Sequence, residues 1–418
     1  MAKYIDNRFY SLEIGTHSLK LLAADYNDDG TFDILEYAEA PTGNKVEKGQ
    51  IIDVETIHEP FNKASLKLEN SLNEVMTKLI VSVSGPHIAT KNITGSVGVE
   101  SEDRVISDVD IVAVAKHARS YRLPEGKAAI NVIGRYYTID DNNVVSNPEN
   151  MIGQNLSQEM QVVYGDSNIL ETLQNIFYSQ YGEDFSLELS FAGISSFLGV
   201  TEKYEQEEGA LCIDIGYGTT DYAIYKDETC QHTGTFSIGC KHLVNDLHVG
   251  LDLPFVVCKR LFEQCGSARS QGDGRSRMVK VPLPGGKERE IPHSSIEQII
   301  ELRLREIFNL IKRDLVENEV ENTFSSGVIL CGGGAKIKEI EGLAKEEFKA
   351  PVRIGHAMGF SGDTEIVSNP AFANCCGALR VAHLMESIEE AKARPSLIAD
   401  FKASLVKTFK DFLNALNW

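Results

Sequence analysis

The sequence predicts a duplicated α/β fold. Two segments share one plan. Tyr10–Tyr26 (YSLEIGTHSLKLLAADY) and Cys212–Tyr225 (CIDIGYGTTDYAIY) each run apolar, turn through glycine and hydroxyl residues, and return at once to apolar alternation. Strand-like and helix-like periods alternate between and after them. A third glycine run, Gly332–Gly334, follows a buried apolar stretch.

The bulk composition sets the frame. The chain has 418 residues, 42% hydrophobic and 24% charged, which suits an ordinary globular protein of roughly two to four domains. A net charge of −20 supplies no basic footprint, so nucleic acid is excluded as a main partner. The eight cysteines form no Cys-x-x-Cys pair, which leaves no zinc signature and points to a reducing compartment. The N-terminus lacks the apolar core of a signal peptide. No apolar run approaches the ~20 residues of a spanning helix.

In chain order, Phe9–Tyr26 predicts two strands around a Gly-Thr turn, and Thr31–Ala38 a third strand. Glu59–Leu72 has helical spacing, and Lys78–Ser84 reads as a buried strand closed by Gly85-Pro86. A separate unit follows: a strand, a helix near Asp108–Ser120 and a hairpin-like stretch at Ala129–Ile139. Asn147–Gly153 is loop chemistry leading to a strand at Met160–Tyr164, a helix at Ile169–Tyr181 and a strand at Phe185–Leu189. Ala210–Ala223 opens the second half. Residues 268–275 read as a polar loop, and Met278–Ile291 as a hairpin around Leu283–Gly286. Ser294–Glu297 reads as a capping box opening a helix to Glu317. Gly327–Leu330 is a short buried strand. Ala335 then starts a helix, Asn369–Ala391 forms another, and Ser396–Trp418 a last one after Pro395.

Glycine after a strand lets the backbone come close to an anion. Successive N–H groups then make a concave donor site for phosphate, and threonine hydroxyls add donors. Asp214 at the strand end suits Mg²⁺, which keeps most of its waters and uses few carboxylates. The return to strand on each side separates these turns from the strand-to-helix loops of P-loop and Rossmann sites. A tight β-turn without a ligand is the alternative for either turn taken alone. The repetition at Glu13–Ser18 and the glycine run at 332–334 weigh against it.

Taken together, these motifs resemble the actin-like ATPase superfamily, with the two turns as its phosphate motifs and VILCGGGAKI as its adenosine motif. Ser190–Val200 and Asn369–Leu379 resemble its connecting helices. Within the superfamily the chain is similar to the FtsA family of bacterial cell-division proteins. That likeness rests on the insertion after KLIVSVSG, the segment NPENMIGQNLSQEMQVVYG, FSIGCKHLVNDL, the ELRLREIFNLI helix and the C-terminal tail. It implies an actin-like fold of two RNase H-like halves with an inserted α+β subdomain and a C-terminal amphipathic helix. The implied divisions are 1–84 with 161–196 and 365–392 as subdomain 1A, and 85–160 as inserted subdomain 1C. They continue with 197–245 and 326–364 as 2A, 246–325 as 2B, and 393–418 as linker and membrane-targeting helix.

The resemblance also implies a site for ATP and Mg²⁺. Gly15, Thr16, His17 and Ser18 would line the β- and γ-phosphates, with Gly216, Tyr217, Gly218 and Thr219 facing them. Gly239 and Lys241 would sit near the ribose and phosphates, and Gly332, Gly333, Gly334 and Lys336 by the adenine and ribose. Asp214 and Glu13 would serve the metal. Glu13 stands where the family usually has Asp, and Lys259 where an acidic residue is common on the adenine-contacting helix. No residue stands out as a general base, so slow or absent hydrolysis is expected.

Two helices carry partner expectations. In Ser294–Glu317, Ile296, Ile300, Leu304, Ile307, Ile311 and Leu315 make one core-facing stripe. Arg303 and Glu306 lie on a flank beside Ile299 and Leu310, where a charge pair is either solvated rim or a site for an acidic peptide. The resemblance implies docking of the C-terminal tail of the tubulin-like protein FtsZ there. In the tail, Phe401, Leu405, Phe409, Phe412, Leu413 and Leu416 share one face, lysines lie on the other, and Trp418 ends the sequence. That profile suits a bilayer interface or a helix docked on the protein's own core. The resemblance favours membrane, with self-assembly into filaments at the cytoplasmic face of the inner membrane, at the division septum, among other divisome proteins. Alternatives are a PilM-like pilus assembly adaptor, which lacks such a tail, and an actin-fold small-molecule kinase, for which no catalytic carboxylate is evident.

Overall fold

The computed structural model describes residues 7–43, 45–269, 277–283 and 287–393. The expected polar loop falls almost wholly outside these residues. So does the expected tail helix, with Phe401, Leu405, Phe409, Phe412, Leu413, Leu416 and Trp418. Among the described residues no helix is long and apolar enough to cross a membrane.

The duplication is visible in the sheets. In the first half, strands Arg8–Ile14, Ser18–Tyr26 and Phe32–Pro41 form an antiparallel meander. Arg8–Ile14 then pairs in parallel with Lys78–Val83, which pairs in parallel with Ser186–Phe191. The second half repeats this order. Ala210–Ile215, Thr220–Lys226 and Thr229–Phe236 form the meander, and Ala210–Ile215 runs parallel to Gly327–Cys331, itself parallel to Val352–Ile354. The central strands are buried on both faces, as their near-continuous apolar sequences require. One strand breaks the symmetry: Phe360–Gly362 crosses back and pairs with Phe32–Ile34 at the edge of the first sheet.

Two helices separate the sheets. Ala373–Ala393 packs on the first sheet, Ala192–Val200 on the second, and the two pack on each other. Their contact is at glycine: a Cβ on Gly377 would lie 1.5 Å from the Ser195 carbonyl oxygen, and one on Gly199 would lie 2.2 Å from that of Ala373. Two large apolar clusters form the core, the first centred on the first half but reaching the inner face of the second sheet at Cys212, Ala223 and Ile329, the second within the second half. Leu12, Leu21, Phe61, Phe177 and Phe191 belong to the first, and Ile213, Leu243, Ile300, Leu304 and Phe308 to the second. The expected stripe of helix His293–Glu317 is fully buried in the latter.

Each half also carries an insertion. In the first it lies between Lys78–Val83 and Ser186–Phe191. It is a four-stranded sheet, ordered Ala89–Gly98, Asn155–Asp166, Lys127–Ile139, Asn143–Val145, with helix Asp108–Arg119 against it. The helix opens with a capping box between Ser107 and Asp110. In the second half it holds helices Cys240–Leu251 and Phe255–Cys265, the hairpin Met278–Leu283 with Lys287–Pro292, and helix His293–Glu317.

Some local expectations are corrected. Ala129–Ile139 is no hairpin but part of one continuous strand, Lys127–Ile139, whose turn comes at Asp140–Asn142. The strand expected at Met160–Tyr164 spans Asn155–Asp166, because it pairs on both sides along its length. Ser294–Glu297 is not a capping box. The preceding strand runs straight into the helix, which starts at His293, and Glu297 is buried against the His293 imidazole at 3.1 Å. The glycine run enters one 3₁₀ turn, Gly333–Lys336, and the α-helix waits until Ile340–Phe348.

Candidate functional site

The two glycine turns meet across the gap between the halves. Each is closed by its own backbone: Gly15 N donates to Ser18 O at 3.0 Å, and Gly216 N to Thr219 O at 2.9 Å. The Thr42 hydroxyl donates to Gly15 O, and the Thr16 hydroxyl accepts from Gly49 N. Thr16 also packs against the opposing turn, where a Cβ on Gly218 would come within 2.3 Å of its hydroxyl oxygen. His17 and Tyr217 face each other with ring centroids 5.2 Å apart.

Between the turns lies a cleft of about 460 Å³, within the roughly 300–1,000 Å³ of small-molecule sites. Gly15, Thr16, His17 and Ser18 line one wall, and Gly216, Tyr217, Gly218 and Thr219 the other. Glu13, Asp214, Lys259, Gly332, Gly333, Gly334 and Lys336 also line it. Gly332 has φ 80°, and a Cβ there would lie 2.1 Å from Asp214 Oδ1. Glycine thus keeps this wall backbone-thin where it meets the carboxylate.

Gly239 and Lys241 are not among the lining residues. Gly239 packs on the back of the second turn, where a Cβ would lie 2.6 Å from Gly216 O. The helix it caps donates from Cys240 N to Gly216 O and from Lys241 N to Tyr217 O. The Lys241 ammonium reaches across to Glu47 at 3.3 Å. These residues brace the turn from behind.

The charges in the cleft are closely paired. Lys20, buried there, donates to Glu13 at 3.0 Å and to Ala371 O at 2.8 Å. Burial opposes its charge, yet Glu13 raises its pKa above the ordinary lysine range. The Ser196 hydroxyl donates to Asp214. Burial, and then the Glu13 charge, push Asp214 up to about 7. Burial pushes Asp221 up to about 6. The Ser84 hydroxyl lies 2.7 Å from both oxygens of Asp221 and 3.1 Å from the Thr219 hydroxyl. Burial, then Lys259, lower the His17 imidazole, and burial, then Lys20, lower the Lys336 ammonium.

Lys20, Glu39, Ser84, Asp221, Phe262 and Glu263 line the same cleft and do not stand out in the sequence. Two of them leave a trace there: Lys20 and Asp221 are charged residues inside strands that otherwise read as buried. Lys259 stands 4.0 Å from Glu263 and 5.9 Å from the centre of the Tyr217 ring. Away from the cleft, Arg303 holds Asp246 through two bonds, 2.6 and 2.9 Å, and Glu306 at 2.6 Å.

The family model described as Cell division protein FtsA matches residues 211–377, and the SHS2 domain inserted in FTSA matches residues 85–164. Together they span more than half of the chain. Relatives described as Cell division protein FtsA include that of Borreliella burgdorferi, 27% identical over 92% of this chain and 93% of its own length. Those of Pseudomonas aeruginosa and Escherichia coli K12 are 26% and 24% identical over 88% and 91% of this chain, and 87% and 91% of their own lengths. Among solved structures, the PilM-PilN type IV pilus biogenesis complex superposes with a TM-score of 0.63 at 14% identity, covering 89% of this chain and 98% of that one. MreB5 of Spiroplasma citri bound to ADP gives 0.55 at 14%, covering 93% and 99%. The fold is actin-like.

Proposed function

We infer that this chain, which belongs to the FtsA family of cell-division proteins, binds ATP with Mg²⁺ between its halves and acts as a membrane-attached adaptor for FtsZ. The observation that carries the nucleotide reading is the pair of glycine turns facing each other over one cleft. Beside the facing His17 and Tyr217 rings, their walls are backbone and hydroxyl, as a polyphosphate needs. A side chain at Gly218 would collide with Thr16 and close the gap. The buried Lys20 supplies a positive charge on the same side as the first turn.

Asp214 fits a Mg²⁺ site better than Glu13 does, because Glu13 is already engaged by Lys20. Among the described residues no three acidic, His or Cys side chains converge as a protein-only cage. A metal here would therefore rest on Asp214, water and phosphate oxygens. When bound, Mg²⁺ would neutralise phosphate charge. The chain's own part is to orient the phosphates with the two turns and to hold Asp214 through Ser196. Gly332–Gly334, Lys336 and the helix carrying Lys259 would receive the nucleoside end.

Recruitment of FtsZ would use Arg303 and Glu306. An acidic peptide would exchange with Asp246 on the guanidinium. Attachment to lipid would use the amphipathic sequence after Pro395, with filament formation multiplying a weak single-helix affinity. The nucleotide reading is tested by titrating the full-length protein with MgATP in a calorimeter. Saturable binding is expected, weakened at least tenfold by Gly218→Val. Binding by that variant with unchanged affinity would remove the two-turn site from consideration.

A further inference from the structure

The inserted sheet of the first half touches both halves of the molecule. Its root is in the first half, where Asn131 Oδ1 accepts from Phe191 N at 2.8 Å. Its flank lies on strand Thr229–Phe236 of the second half. There the Thr90 hydroxyl lies 3.0 Å from that of Thr233, Arg135 donates to Gln231 at 3.2 Å, and the Thr229 hydroxyl donates to Arg135 O. That strand pairs along its length with Thr220–Lys226, which continues directly from the second glycine turn. A change in the turn is thereby two strands away from the insertion.

A second connection is shorter. Ser84 is the last residue before Gly85, where the insertion leaves the first sheet, and Asp221 belongs to the second turn's outgoing strand. The one Ser84 hydroxyl hydrogen, shared between the two Asp221 oxygens at 2.7 Å each, links the halves beside the cleft. Asp221 is buried, so its charge depends on the donors that face it. Packing alone does not fix Ser84. On one side it borders the cleft. It also borders a second cavity of about 240 Å³ lined by Ile14, Val81, Val83, His87 and Leu170. Gly85 follows at φ +139°, and Ser84 O abuts Gly49, where a Cβ would lie 2.6 Å away. The segment thus has a cavity beside its side chain, a glycine joint after it and one charged partner across the cleft.

We propose that Ser84 and Asp221 are positioning residues that couple occupation of the cleft to the placement of the inserted sheet. The inference rests on the nucleotide reading above. Phosphates seated between the turns draw on Thr219, whose hydroxyl donates to Asp221 and lies 3.1 Å from that of Ser84. They therefore reset the bond that anchors the point where the insertion begins. A bond from a hydroxyl to a buried carboxylate is strong enough for this, because charge-assisted bonds exceed neutral ones about twofold.

The test uses full-length protein and MgATP. Binding is measured by calorimetry. Amide hydrogen exchange is followed in strands Ala89–Gly98 and Asn155–Asp166 with and without nucleotide. In the parent, MgATP should change exchange in both strands. Ser84→Ala should weaken binding by roughly tenfold, within the usual range of coupling between sites. At saturating nucleotide it should abolish the exchange change in the insertion, and Ser84→Thr should restore it. Asp221→Ala should behave like Ser84→Ala, which keeps the test sharp if one variant folds poorly. If Ser84→Ala binds MgATP yet transmits the full exchange change, the coupling is wrong and the nucleotide site stands. A parent protein that binds MgATP with no response in the insertion likewise overturns the coupling alone. A parent that binds no MgATP overturns both.

Discussion

As the proposed Mg²⁺ ligand, Asp214 would have to serve two conditions. Without a cation its carboxylate is buried beside Glu13, with Ser196 alone among the described residues donating to it and Lys20 nearby. With a cation the same charge would be matched. Its pKa, raised to about 7, means that the folded protein keeps a proton the unfolded chain has released between about pH 4 and pH 7. The contribution of this group to stability therefore falls as pH rises through that window, and it stays low above it. A histidine shielded from water acts oppositely: half-buried His383 is lowered to about 4, chiefly by burial, so it loses stability as pH falls below its unfolded value. A comparison at one residue separates the two effects. Without nucleotide, Asp214→Asn should be more stable than the parent by on the order of 2–4 kcal/mol at pH 8, and the gap should narrow steadily toward pH 5. Chemical denaturation at four pH values measures this. A gap independent of pH would mean that Asp214 is ionised throughout. Residues also differ in how far sequence exposes them. Gly15–Ser18 and Gly216–Thr219 are readable because turn chemistry is local. The link between Ser84 and Asp221 is not, because it joins positions 137 apart in the chain.

At the scale of elements, helix His293–Glu317 shows both a success and a failure of periodicity. Its apolar stripe is buried as expected, because spacing alone fixes which face meets a core. Its start differs from the expected capping box, because the local signature competes with a strand that delivers the chain directly into the helix. Its flank has a further consequence. Arg303 is held by Asp246 on helix Cys240–Leu251, so a peptide carboxylate must compete with an internal one. Arg303→Glu should weaken binding of an FtsZ C-terminal peptide about tenfold or more, since it leaves three acidic groups together. Asp246→Asn should strengthen binding severalfold by releasing the guanidinium. Fluorescence anisotropy with a labelled peptide reads both. Undiminished binding by Arg303→Glu would move the docking surface elsewhere.

At the scale of the whole molecule, the repeated sheet order is legible because both halves open on the same strand–glycine–strand plan. The inserted sheet's contact with the second half is not, since Thr90–Thr233 and Arg135–Gln231 follow from tertiary packing alone. The proposed membrane attachment would fall to the segment from Ser396 to Trp418, whose sequence intersperses Phe and Leu with lysines in a chain of net charge −20. Vesicles containing anionic lipid should co-sediment the full-length protein, less so at high salt because the lysine contribution is screened. Deleting 396–418 should abolish co-sedimentation while leaving MgATP binding intact. Equal sedimentation with and without the segment would assign the anchor to another surface.

The strand that crosses back, Phe360–Gly362, has a bearing on how the molecule is made. It completes the edge of the first sheet at Phe32–Ile34, and Phe9, Leu22 and Phe32 share a cluster with Phe360, Phe372 and Leu379. The part of the chain synthesised first is therefore the part finished last. Its outer strand and one of its apolar clusters wait until more than three hundred further residues have left the ribosome. The sheet of the second half spans Ala210 to Ile354, and the helix packed on it, Ala192–Val200, precedes it, so this half can close before then. Domains fold as units during synthesis, and here the later unit is the one free to lead.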